Sequence, residues 1–201
     1  MKRAVKLSIA AAVPLLFSLG FVVWSKKTFP SETLPEGAYA RIVVAVSGGR
    51  TRDCFAYLET QAQWATYTIH DFRAKAAQRI AKAYPEPERT SMLAAYRREA
   101  EAPDGADVWL ALAESRGFVA RLRNDLSGVQ RVEVAGERAT IETARGTRYA
   151  FRRRDNGIWG LTMFTAELLA EAEKAARDLD MVNRAADDYE RAARSGEGAS
   201  P

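Results

Sequence analysis

The chain of 201 residues contains one cysteine and one histidine. A single cysteine excludes an intramolecular disulfide framework, and with a single histidine it leaves no ligand set for a structural zinc site. The G-x-S-x-G, H-E-x-x-H and dinucleotide-binding signatures are absent, and so are internal repeats. Ser47-Gly48-Gly49-Arg50 lacks the Gly-Lys-Ser/Thr of a phosphate loop and follows a predicted helix, so its glycines read as a helix stop. No catalytic residue, metal ligand or cofactor site is assigned.

The lone Cys54 lies between Asp53 and Phe55 in a helical pattern and reads as a small buried apolar residue, the rival being a redox thiol or intermolecular bridge. His70 adjoins Asp71, but neighbours on a helix do not face one another, so this is no catalytic dyad. Asp71 is expected to pair with Lys75 and His70 to be partly buried at the flank of an apolar stripe. The carboxylate pairs Glu171 and Glu173, and Asp187 and Asp188, point to different sides of a helix and read as solvated charges.

Excess charge of one sign is also missing once its location is considered. The net charge is +4, yet Lys2, Arg3, Lys6, Lys26 and Lys27 account for five of the 30 basic groups. The remaining 25 face all 26 acidic groups, a net of −1, and a nucleic-acid partner is not expected. Those five charges bracket Leu7 to Trp24, 18 residues without an ionisable side chain. As a helix this run reaches about 27 Å, close to the ~30 Å hydrocarbon thickness. Residues 1–27 are read as a signal anchor, with residues 7–24 in the membrane, the N-terminus cytoplasmic and the domain extracytoplasmic, on the periplasmic side in a Gram-negative cell. The alternatives are a secreted protein, cleaved near Gly20 after Ser18-Leu19-Gly20, and a buried soluble helix.

Residues 28–34 read as a polar linker, followed by a single α+β domain over 35–193 and a disordered tail over 194–201. Thr33, Pro35 and Glu36 suggest a capped helix start. A second helix is expected from near Thr51. A stripe of Ile69, Phe72, Ala76, Ile80 and Ala83 predicts a helix over Ala62 to Tyr84, ended by Pro85 to Glu88. A helix over Glu88 to Ala102 and one or two more over Val108 to Leu126, broken near Gly117, complete a helical part over 35–126.

The period then falls to two. Val132 and Val134, Ala139 and Ile141, Tyr149 and Phe151, and Trp159, Leu161 and Met163 alternate with charged or small residues, predicting a four-stranded antiparallel meander over 129–163. Its turns are Ala135-Gly136-Glu137, Arg145-Gly146-Thr147 and Asp155-Asn156-Gly157. In YAFRRRDNGIWGL, Arg152 and Arg154 are expected on the solvated face opposite Tyr149 and Phe151, with Arg153 at the hairpin end. A last helix over 165–193 carries Leu168, Ala172, Leu179, Val182, Ala186 and Tyr189. It holds eight acids against three bases between Ala166 and Glu190, while Arg116 to Arg154 holds ten arginines against four acids. The two regions are expected to face each other, with the helix on its own sheet; a homodimer through this C-terminal helix is the alternative.

The meander, ending in Asn156-Gly157-Ile158-Trp159, resembles the C-terminal sheet of small exported NTF2-like domains. The resemblance implies a curved sheet around a cavity, a cone that Tyr149, Phe151 and Trp159 would line. That family includes enzymes and binding modules, and its acid–base residues have no matching positions here. The long helical middle and the helix after the last strand depart from it. The expected function is a membrane-anchored extracytoplasmic module binding a protein partner or an apolar ligand. The alternative is a small hydrolase or isomerase using an NTF2-like cavity.

Overall fold

The computed structural model describes residues 30–197. The expectations for the apolar run, for residues 28 and 29 and for the last four residues of the tail lie outside the described residues. Among those described, no helix is long and apolar enough to cross a membrane.

The fold is α+β. Helices α1 (Pro35–Ser47), α2 (Thr60–Ala83), α3 (Glu88–Ala100), α4 (Gly105–Ser115) and α5 (Phe118–Asp125) precede strands β1 (Val129–Ala135), β2 (Arg138–Thr143), β3 (Arg148–Arg153) and β4 (Trp159–Leu161), and α6 (Thr165–Glu197) closes the chain. A 3-10 helix, Thr51–Tyr57, stands where a second α-helix was expected. The predicted stop after α1 is present: Gly49 adopts φ 69°, and Arg50 N–H donates to Ala45 O at 2.8 Å. The break at Gly117 is real too, again at φ 69°.

The start of α1 differs from its prediction. Pro35 is the first helical residue, but no side chain caps the helix. Thr33 instead bonds Ser31 through its hydroxyl, while its carbonyl accepts the Trp159 indole N–H at 3.0 Å. The Trp159 backbone N–H reaches Glu32 O at 3.4 Å. The described part of the expected linker is thus a turn fastened to β4. Gly37 makes this possible, because a Cβ there would lie 1.8 Å from Ser31 O.

The sheet runs β1-β2-β3-β4, antiparallel throughout, as the meander pattern predicted. Ala139, Ile141, Tyr149, Phe151 and Leu161 face the helices and are buried. Against them lie Tyr39 and Ile42 of α1 and an aromatic cluster of Trp109, Phe118 and Phe164, with Phe118 and Phe164 stacked at 4.6 Å. Burying these rings stabilises this layer by roughly 25 cal/mol per Å² of apolar surface.

Helix α6 departs from expectation by packing mainly along α2. An isolated parallel bridge, Leu58 to Leu161, starts both helices side by side, and Glu59 N–H donates to Leu161 O at 3.1 Å. The contacts Arg73 to Asp178, Arg79 to Asp187 and Tyr84 to Tyr189 advance together, so the helices run parallel. Small Ala172, Ala175 and Ala186 permit the approach, and α6 continues to Glu197, past its expected end at residue 193. With α3 the pair encloses a second core of Ala76, Ile80, Tyr84, Val182 and Ala186.

The acidic helix therefore divides its partners. Arg116 and Arg121 meet Glu171 and Glu167 as expected, but Asp178, Asp187 and Glu190 pair with α2. Within α2 the buried stripe contains Arg73 in place of the expected Phe72, which is half-buried. Arg73 is tolerated because Asp178 at 2.6 Å and Glu99 at 3.4 Å neutralise it, and its guanidinium lies 4.5 Å from the Tyr96 ring centre.

Candidate functional site: an aromatic shelf on α2

Tyr149, Phe151 and Trp159 come together, as the meander register required, but inside the main core. Each is buried, and none lines any of the described hollows. The Tyr149 ring packs 5.5 Å from that of Tyr39, and its hydroxyl is buried without a hydrogen-bond partner. Burial raises the pKa of both phenols; in Tyr39 the Ser127 backbone N–H, donating to the phenol oxygen at 3.2 Å, partly opposes the rise. Tyr149 sits in a packed interior, while its neighbour Tyr39 borders a hollow of about 490 Å³ between α1 and the start of β1.

The other residues weighed from sequence are ordinary. Cys54 is buried, and burial pushes its thiol up to about 12. His70 is half-buried, and Asp71 takes Lys75 at 2.6 Å. Among the described residues no group of three or more His, Cys, Asp or Glu could hold a metal ion.

Of the β3–β4 hairpin arginines, Arg152 and Arg153 are exposed as expected, and Arg154 is not. Arg152 reaches over Gly160 towards Glu59, at 3.6 Å. Glu59 is 4% exposed, and it fits there because a Cβ on Gly160 would lie 2.5 Å from Glu59 Cα. Arg154 is half-buried; it donates to Ala56 O at 2.7 Å and Gln63 Oε1 at 2.9 Å. Burial lowers its pKa. Gln63 is fixed in turn, its amide donating to Phe55 O at 2.6 Å.

This clamp borders the most distinctive surface of the domain. Trp64 and Tyr67, on the first turns of α2, are 66% and 47% exposed. Trp64 lies 6.3 Å from Tyr67 between ring centres, and Tyr67 meets Phe55 edge-on at 6.0 Å. The Tyr67 ring sits close to Gly105, where a Cβ would come within 3.0 Å of it. Trp64, Tyr67, Thr60, Gln63 and the turn residues Arg154, Asp155 and Asn156 line a hollow of about 330 Å³. Asn156 Oδ1 accepts Ile158 N–H at 3.1 Å, which fixes the turn.

Sequence reasoning missed this shelf because Trp64 and Tyr67 precede the apolar stripe and match no motif. The available signal was two aromatic residues three apart on the α2 face away from Ala62, Ala65 and Ile69. The larger hollow beside α1, about 610 Å³, contains Arg41, Arg50, Arg52 and Asp53. Its charges are answered locally by Arg50 to Asp53, Arg52 to Asp104 and Asp107, and Arg41 to Glu32.

Comparison of the chain with protein-family models, curated proteins and solved structures finds no match.

Proposed function

We propose that the protein is a membrane-anchored extracytoplasmic interaction module that binds a protein partner through the α2 shelf. The observation that carries this reading is Trp64, a large indole held two-thirds exposed beside Tyr67 and an immobilised Arg154. Trp, Tyr and Arg are the residue types that dominate binding energy at protein interfaces, and the packed Tyr67 ring and the bonded Arg154 guanidinium lose little entropy on contact. The Asp155 carboxylate adds a directional charge at the rim. The anchor reading rests on the 18-residue apolar run and its flanking lysines and arginine. The fastened turn at residues 30–34 would hold the domain near the bilayer surface.

The NTF2-like reading is supported by helices that precede a meander and cover one of its faces. The two phenols with raised pKa favour the alternative of a hydrolase or isomerase, and the packed surroundings of Tyr149 weigh against it. Affinity isolation of the full-length chain from carbonate-washed membranes distinguishes them. A defined partner is expected to be retained by Tyr149→Phe and lost at least tenfold with Trp64→Ala/Tyr67→Ala. Recovery of the chain in the carbonate supernatant, or partner retention in the double variant, would overturn the reading.

A further inference from the structure

Strand β1 ends the sheet order and, among the described residues, pairs only with β2. Six of its seven residues are exposed. Backbone groups not bonded to β2 face an open edge, which in other proteins is covered, shortened or used for pairing. Val132 and Val134 lie opposite the buried Ile141 and Ala139, on the side that the helices should cover. Val134 is nevertheless 58% exposed, because the helical layer stops short of this edge. Nearby, Val129 and Val44, both more than 40% exposed, line a hollow of about 490 Å³ between α1 and the start of β1. The edge thus has an uncovered apolar margin beside its free backbone.

The other side of β1 determines what fits. Arg131 and Glu133 stand there, two residues apart, 67% and 45% exposed at their side chains; within the chain they pair with each other at 3.0 Å, and Glu133 also lies 3.5 Å from Arg148, pairs that a second copy would exchange for pairs across the edge. We infer that β1 pairs antiparallel with β1 of a second copy, about a two-fold axis at Val132 perpendicular to the sheet. This register sets Val132 against Val132 of the second copy, and Arg131 against Glu133 of the second copy, twice by symmetry. Centring the axis on Glu133 would oppose two carboxylates, and a shift by one residue would turn the valines to the wrong face. The sequence VQRVEVA is therefore self-complementary in one register. The product is a continuous eight-stranded antiparallel sheet, with the α2 shelves at its two far ends beside the β3–β4 hairpins. The contact is smaller than a standard protein interface, so a dissociation constant on the order of micromolar is expected.

Sedimentation of the full-length chain in a mild non-ionic detergent at low salt tests the inference. The wild type should show a monomer–dimer equilibrium below about 100 µM. Arg131→Glu and Glu133→Arg should each weaken the dimer at least tenfold, with circular dichroism unchanged. An equimolar mixture of the two variants should recover the wild-type constant as a heterodimer, and so should the doubly reversed chain. A monomer throughout the range, a dimer indifferent to either reversal, or failure of the mixture to recover would overturn it. So would a dimer lost instead on substituting Leu169 or Met181, which would place the contact on α6.

Discussion

At the scale of single residues, the hairpin arginines change meaning once their neighbours are known. The sequence places Tyr149, Phe151 and Trp159 on one face correctly, because alternation in a strand leaves no other choice. It does not show that Leu58 and Glu59 cross β4 at Gly160, so it cannot reveal that Arg152, exposed as expected, is also the counter-ion of a buried carboxylate. Trp159→Ala should cost about 3 to 5 kcal/mol in chemical denaturation, from the lost ring and its hydrogen bond to Thr33 O. Arg152→Ser should cost about 1 to 3 kcal/mol, more than an exposed pair would, because Glu59 is left unpaired. Adding Glu59→Gln should restore at least half of that loss. An Arg152→Ser chain as stable as wild type would show that Glu59 needs no counter-ion.

Elements were legible where a period persists and were misread where a distant segment intervenes. The meander, the stop at Gly48-Gly49 and the break at Gly117 follow from local chemistry. Arg73 in the buried stripe of α2 could not be foreseen, since Glu99 and Asp178 arrive from α3 and α6. The partner of α6 was hidden for a similar reason: the Leu58 to Leu161 bridge that aligns it with α2 spans most of the domain. Likewise, the attachment of the segment before α1 was hidden, because the Glu32 and Thr33 carbonyls are taken by the distant Trp159. Gly37 tests that attachment. Gly37→Ala cannot keep the Ser31 carbonyl where it is, so residues 30–34 should leave the surface. Limited proteolysis should then cut before Pro35 at least tenfold faster while the sheet stays protected; an unchanged cleavage rate would mean that the turn is not held there.

For the whole molecule, the division of labour is between a filled interior and a specialised surface. A composition without a His or Cys cluster, and a domain nearly neutral beyond residue 27, pointed away from metal chemistry and polyanion binding before any fold was known. The α+β class was equally legible. The shelf was not, because exposure of Trp64 and Tyr67 depends on how α2 meets the 3-10 helix and the β3–β4 turn. Its use is the central claim, and site-specific photocrosslinking tests it most directly. With a photoreactive phenylalanine analogue replacing Trp64 in the full-length chain in native membranes, a discrete adduct to one partner is predicted. The same analogue at Met181, exposed on α6, should give none; absence of an adduct at position 64, or the same adduct from both positions, would contradict the account.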